Sequence, residues 1–315
     1  MKYKVVRLAV IFDQVLSAGG GYQQALNISI SMYKFKERKS YSLKFFTIYS
    51  ENIPILSGYG IDVELIKISK FNRAWLKVRS LIYSDHILKN IQKYVGLNKF
   101  EKSLIDKDID LVYFLSPSSW SNYLEKLNYI ITVWDLCHRD MPEFPEVYEN
   151  RVFERREVGF NRSLTRAIAV IVDSKLGKDN IIRRYMVDES RIHILPFSPA
   201  LSIQNVKQKS SVSIKDKFKI LGDYIFYPAQ FWAHKNHAYI LQGLTALKDE
   251  YNIKISAVFS GGDAGNLSYI KSLVDELDLT DQVHFLGFVD NADIVTLYEN
   301  SIALVMPTYF GPTNI

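Results

Sequence analysis

Tyr224-Ile225-Phe226-Tyr227-Pro228-Ala229-Gln230-Phe231-Trp232-Ala233-His234-Lys235-Asn236 shows in one segment the alternation on which the whole chain is built. Tyr224 to Tyr227 is a short aromatic and β-branched run of strand length, and Ala238 to Asp249 carries a helical pattern, so the stretch between them is a strand-to-helix loop. The same alternation continues outward. Strands are expected at Lys254 to Phe259, Val283 to Leu286 and Ala303 to Met306, with helices at Leu267 to Glu276 and Ala292 to Asn300. Upstream, Gln204, Lys207, Gln208, Lys209, Ser210 and Ser211 break the pattern and read as a linker. Before it the alternation returns. Strands are expected at Lys4 to Phe12, Leu43 to Tyr49, Val63 to Ile68, Asp110 to Leu115, Tyr129 to Trp134, Ala167 to Val172 and Arg191 to Leu195. Helices are expected at Tyr22 to Phe35, Ala74 to Tyr94, Tyr148 to Leu164 and Lys175 to Tyr185. Strands alternating with helices imply parallel sheets covered on both faces, an α/β chain of two Rossmann-like, doubly wound domains. The expected boundaries are residues 1–197, a linker at 198–216, and a second domain at 217–315.

Composition agrees. The 315 residues are 48% hydrophobic and 23% charged, which excludes a disordered or fibrous chain and suits two domains. The net charge of +5 is too small and too spread to demand nucleic acid, and fits an anionic ligand or a membrane surface. A single cysteine, Cys137, permits neither an internal disulfide nor a cysteine metal site, so a reducing, cytoplasmic setting is expected. The apolar run after Met1-Lys2-Tyr3-Lys4 is broken by Arg7 and stopped by Asp13, and no later run approaches the roughly 18 to 20 apolar residues of a membrane span. Any membrane contact is therefore expected to be peripheral.

Several loops fall where an open α/β sheet binds ligands, just past the carboxyl ends of its strands. Gly19-Gly20-Gly21 follows the first strand; glycines let the backbone turn and approach an anion at a helix start, and they equally suit a plain tight turn. The nicotinamide fingerprint is incomplete there. Asp135 and His138 lie in the loop after the fifth strand, where either a reacting group or an ordinary turn residue can sit. In the second domain Lys235 precedes a helix start, a favourable place for a diphosphate. His234 and His237 read as a pair on a solvated helix start, since no acidic partner stands near in sequence to complete a metal site. Ser260-Gly261-Gly262-Asp263 and the closing residues Pro307 to Ile315 are further backbone-exposing turns. The basic and aromatic stretch from Phe71 to Lys102 reads either as an amphipathic face for anionic lipid or as a plain solvated helix face.

The order of these motifs resembles the GT-B glycosyltransferases of the large retaining group, family 4 or group 1. The markers are Gly19 to Gly21, the Trp134-Asp135-Leu136 segment running through His138 to Pro142-Glu143, Ile171-Val172-Asp173-Ser174, Ile194-Leu195-Pro196, Lys235-Asn236, Val283-His284-Phe285-Leu286-Gly287, and Ala303 to Thr308. The resemblance implies an acceptor-side first domain, a second domain for a GDP- or UDP-sugar donor, and a glycan or lipid-linked acceptor. It implies retention of configuration with no metal or other cofactor, the nucleotide-sugar being a co-substrate, and no nucleic-acid partner. It implies Asp135 and His138 as catalytic residues, and Gly20, Gly21, Gln230, Lys235, Gly262, Thr313, Asn314 and Ile315 as substrate-binding residues.

Three departures stand out. Gln230 replaces the family's arginine, Trp134-Asp135 replaces a common His-Asp, and Gly311 occupies the first glutamate position of the E-x7-E motif, whose second position is not reached by Ile315. Gln230, Gly311 and the missing second glutamate favour, as the rival reading, a nucleotide-sugar-binding GT-B protein or fragment with weakened or lost transfer. An epimerase of the same architecture would need its own acid and base carboxylates, and no such set is identified. Seven strands precede the linker and four follow it, where a doubly wound sheet has about five to six. The second domain is therefore expected to be cut short, with an exposed, aggregation-prone edge.

Overall fold

The computed structural model describes residues 5–16, 20–36, 40–82, 85–199 and 213–311. It divides into two compact units: the described residues up to 136 together with 154–198, and residues 137–153 together with 199 and 213–311.

The first unit is built on a seven-stranded sheet of order β3-β2-β1-β4-β5-β6-β7. Its strands are β1 (Val6–Phe12), β2 (Tyr41–Thr47), β3 (Val63–Leu65), β4 (Leu111–Phe114), β5 (Asn128–Val133), β6 (Ala169–Val172) and β7 (Ile192–Ile194). Every pairing is parallel. A strand's side chains alternate between faces, and both faces here are covered, so successive residues enter opposite cores. Ala9, Ile11, Phe46, Val112 and Phe114 fill one, while Val10, Phe12, Phe45, Tyr113 and Leu115 fill the other.

The second unit repeats the plan with β8 (Tyr224–Pro228), β9 (Ser256–Ser260), β10 (Val283–Phe285) and β11 (Ala303–Leu304) in the order β10-β9-β8-β11, again all parallel. Tyr227, Ala257 and Phe259 face one core; Tyr224, Phe226 and Val258 face the other. In each sheet the strand order reverses beside the first strand, at β1/β4 and at β8/β11, and such reversals open a crevice at the carboxyl edge.

Each expected strand is present, with ends displaced by a few residues. The helices Lys175–Tyr185 and Leu267–Glu276 have their expected bounds, the former capped by Ser174, whose Oγ accepts from Gly177 N at 3.1 Å. The expected single helix over Ala74 to Tyr94 is instead two, Lys70–Ser80 and Asp85–Val95, the first started by the Ser69 cap. The expected helix from Tyr148 is broken by left-handed Asn150 (φ 52°) and Arg151 (φ 58°), so Pro145–Tyr148 and Val152–Arg166 are separate. Helices Asn52–Gly58 and Lys99–Ile105 are additional. Part of the expected linker is also ordered structure: Ser213 caps helix Ile214–Phe218, and Ile214 joins the second unit's core. Residues 200–212 lie outside the described residues.

The basic stretch before β4 is not uniformly solvated. Arg79 is buried, with its guanidinium forked onto Glu125 at 2.8 and 2.7 Å and a third bond to Gly96 O at 2.9 Å. The neighbouring Glu101, also buried, accepts the backbone N–H groups of Glu125, Lys126 and Leu127 at 2.7–2.9 Å, which fixes the turn entering β5. No described helix is long and apolar enough to cross a membrane.

Candidate functional site

At the end of β8 the chain leaves the sheet through Ala229 and Gln230 and forms one tight turn, Ala233–Lys235, before helix His237–Tyr251. Asn236 joins the two in a left-handed conformation (φ 55°) and makes no side-chain cap, so the helix's first N–H groups are not closed off by it. The Asn236 amide instead donates to Pro307 O at 3.2 Å, tying this loop to the one after β11. Lys235 is half-buried beside that helix start, and burial pulls its ammonium below the usual lysine range. A desolvated ammonium is stabilised by an incoming anion, and the helix N-terminus acts in the same direction. Gln230 shares the loop; its amide oxygen accepts from the Trp232 indole at 3.0 Å, leaving the NH2 as the group it offers a ligand.

The neighbouring turn after β9 is pressed against this loop. Phe231 N donates to Gly262 O at 3.0 Å and Asn266 N to Phe231 O at 3.1 Å. A Cβ on Gly261 (φ 150°) would come within 2.4 Å of Ala229 O, so only glycine lets the two backbones meet. A Cβ on Gly262 would meet the ring of Phe288 at 2.9 Å, and that ring is itself largely exposed. Gln230, Lys235 and Gly262 thus share one carboxyl edge. Thr313, Asn314 and Ile315 lie outside the described residues.

The histidine pair corrects the sequence reading. His234 is 8% exposed and His237 fully buried. His237 stacks on Phe231 (centroids 4.4 Å apart) between Tyr227 and Phe259, and burial pushes its imidazole down to about 4. His234 is held by Glu146, whose Oε1 accepts both its backbone N–H at 3.0 Å and its ring Nδ1. Glu146 is 88 residues away in sequence, so no local pattern announces it. Among the described residues no cluster of three or more histidine, cysteine or acidic side chains suits a metal ion.

In the first unit, Gly20 and Gly21 are the first residues of helix Gly20–Tyr33. Gly21 lies under Trp134: a Cβ there would come within 2.3 Å of the indole Cη2. Trp134 Nε1 is buried without a hydrogen-bond acceptor among the described residues. Asp135 is half-buried and paired with Arg156, whose Nη2 lies 2.5 Å from Oδ1 and 3.1 Å from the Asp135 carbonyl. His138, in the short helix Cys137–Asp140 of the second unit, has no exposed surface and packs edge-on against Phe153.

Sequence reading missed Asp13. It follows β1 directly at the strand reversal, and its carboxylate accepts from Ser116 Oγ at 2.8 Å. Burial drives its carboxyl above the usual range, opposed by hydrogen bonds from Ser118 and Ser116. The loop it opens is clamped by buried Asn52, which accepts from Leu16 N and donates to Gln14 O, each at 2.8 Å. The signal was available as an acidic residue immediately after the first strand.

Residues 212–313 match the family described as Glycosyl transferases group 1. The O-antigen chain mannosyltransferase RfbU of Salmonella typhimurium is 25% identical over 165 residues, which is 52% of this chain and 42% of that protein. The chain thus matches less than half the length of that curated relative. Among solved structures, HepE of Anabaena in complex with UDP-glucose superposes with a TM-score of 0.66 at 13% identity, covering 96% of this chain and 74% of that one. The sucrose-phosphate synthase of Thermosynechococcus elongatus gives 0.65 at 15% identity over 98% and 77%. WaaG, a glycosyltransferase involved in lipopolysaccharide biosynthesis, gives 0.61 at 13% identity over 96% and 75%. The fold is that of the GT-B glycosyltransferases, and the second unit carries the group 1 family match.

Proposed function

We propose that the chain is a hexosyltransferase that moves a sugar from a GDP- or UDP-sugar to a glycan or lipid-linked acceptor of a surface polysaccharide, with retention of configuration and without a metal. The observation that carries this reading is Lys235, half-buried at the start of helix His237–Tyr251 at the β8/β11 reversal, within the segment that matches the family. In this reading Lys235 and the helix N-terminus meet the charge that develops on the departing diphosphate, and Gln230 adds a neutral donor. The leaving phosphate takes the acceptor's proton. Asp135 lines the first unit's edge as a carboxylate oriented by Arg156, while buried His138 acts by holding the Cys137–Asp140 turn against Phe153.

A turnover assay across GDP- and UDP-sugars tests it. Hydrolysis or transfer of one donor, lost by about a hundredfold in Lys235→Ala, is expected; no binding of any donor and no effect of Lys235→Ala would sink it.

A second reading, donor binding without transfer, is favoured by Gln230, whose position would otherwise supply a cation, and by Gly311 at the acidic position of the family motif. Tight donor binding with no turnover would select it.

A cytoplasmic protein peripheral to the inner face of the membrane fits exposed Phe71, Tyr94 and Val95 on the basic helices before β4, with exposed Leu81 just past the first of them. Cosedimentation with anionic but not neutral vesicles is expected, and equal recovery with both would remove this part.

A further inference from the structure

We infer that Glu146 is a positioning residue for Lys235: it fixes the backbone N–H and the ring of His234, the residue directly before the lysine, so that the ammonium is set for the terminal phosphate of a nucleoside diphosphate. This rests on the donor-site reading above. Glu146 lies on the turn Pro145–Tyr148, and its Oε1 takes both the backbone N–H and the ring Nδ1 of His234, the residue directly before Lys235. Both side chains of the pair are 11% exposed. A carboxylate so shielded holds its partners more firmly than one in water.

The surrounding bonds leave little play at Lys235. The His234 carbonyl accepts from Tyr309 N at 2.9 Å and Thr308 Oγ1 at 3.3 Å. Lys235 N donates to Trp232 O at 3.1 Å, and the Lys235 carbonyl accepts from the Tyr227 hydroxyl at 3.0 Å. The peptide groups on both sides of the lysine are therefore tied. Of these ties, the one through Glu146 also fixes the imidazole, which stacks on Phe310 at 4.1 Å with Phe144 edge-on at 6.4 Å.

The charges are arranged consistently with this role. A bare carboxylate one residue from a diphosphate site would repel the ligand; here its Oε1 is covered by two donors from His234. Losing Glu146 should therefore loosen the lysine without changing any group that meets the nucleoside or the first phosphate.

Calorimetric titration of the full chain with UDP, GDP, UMP and GMP tests this. Glu146→Ala is expected to weaken the preferred diphosphate about tenfold, and Glu146→Gln, which keeps an acceptor oxygen, about threefold. The matching monophosphate should bind as to the unaltered chain. In a Lys235→Ala background, Glu146→Ala should add less than about twofold, because the group it positions is gone. Equal losses for diphosphate and monophosphate, or full additivity with Lys235→Ala, would overturn the inference by showing a loop that merely collapses. If Glu146→Ala does not fold, Glu146→Gln decides alone: a loss confined to the diphosphate supports the role, and unchanged affinity refutes it. Failure of the unaltered chain to bind UDP or GDP would remove the donor reading and this inference together, whereas binding unaffected by either Glu146 variant removes only the inference.

Discussion

The two sheets reverse their strand order in the same way yet carry opposite chemistry at the edge. Past β1 the group presented is a carboxylate, Asp13, held by the hydroxyls of Ser116 and Ser118. Past β8 it is an ammonium, Lys235, at an uncapped helix start. A carboxylate held by hydroxyls suits a ligand rich in hydroxyl donors and disfavours anions; an ammonium beside a helix N-terminus does the reverse. Identical topology therefore says where a ligand goes, and the side chains past the strand ends say which ligand.

The glycines at these edges sharpen the contrast. Gly261 is opposed by backbone, since its added Cβ would meet Ala229 O at 2.4 Å, and its φ of 150° is one that side chains rarely adopt. Gly21 is opposed by the far end of the Trp134 ring, and it sits in a helix, where alanine is favoured over glycine by about 1 kcal/mol. Gly261→Ala is accordingly expected to cost about 3 kcal/mol or more, and Gly21→Ala about 1 kcal/mol net. Urea unfolding of each variant checks this. Equal costs would mean that the second edge is no more tightly built than the first.

Acid provides the next test, again located in the second unit. His237 is fully buried, and its imidazole is pushed down to about 4 from 6.5. The unfolded chain therefore binds a proton that the folded chain does not, and stability is lost as pH falls from 6.5 toward 4. A shift of this size corresponds to on the order of 3 kcal/mol at the end of that window. Replacing the ring by another aromatic, His237→Phe, should flatten the stability curve between those values. A curve as steep as that of the unaltered chain would place the acid sensitivity elsewhere.

How far the sequence anticipated these edges depends on the range of the forces involved. Strands are written locally, as β-branched and aromatic runs bounded by turn residues, and helix Lys175–Tyr185 was legible because Ser174 announces its start. The break between Ser80 and Asp85 carries no glycine or proline, so the periodicity on either side merges into one apparent helix. Lys235 and Gln230 were legible because a ligand edge follows any strand in such a sheet. Arg79 with Glu125, and His234 with Glu146, were not, since these partners stand 46 and 88 residues apart and only the folded chain brings them together. The same blindness made His234 and His237 look solvated. A helix start is exposed by default, and here aromatic side chains, among them Phe231, Phe259 and Phe310, cover it.

The smallest expected effect lies at the first edge and bears on the comparison directly. Burial raises the Asp13 carboxyl above its unfolded value, so the folded chain holds a proton that the unfolded chain has released. Stability from this group is complete below the unfolded carboxyl range and falls as pH rises through the raised value. Asp13→Asn removes the charge and keeps an oxygen for Ser116. It should therefore raise the melting temperature at pH 7 and leave it unchanged near pH 3, where both side chains are neutral. Retaining an acidic group whose ionisation costs stability makes physical sense at a ligand edge where it contacts a substrate, so the same variant should bind a hydroxyl-rich acceptor less well while leaving UDP or GDP affinity unaltered. A variant no more stable at pH 7 would show that Ser116 and Ser118 fully offset the burial, and the first edge would then be as well compensated as the second.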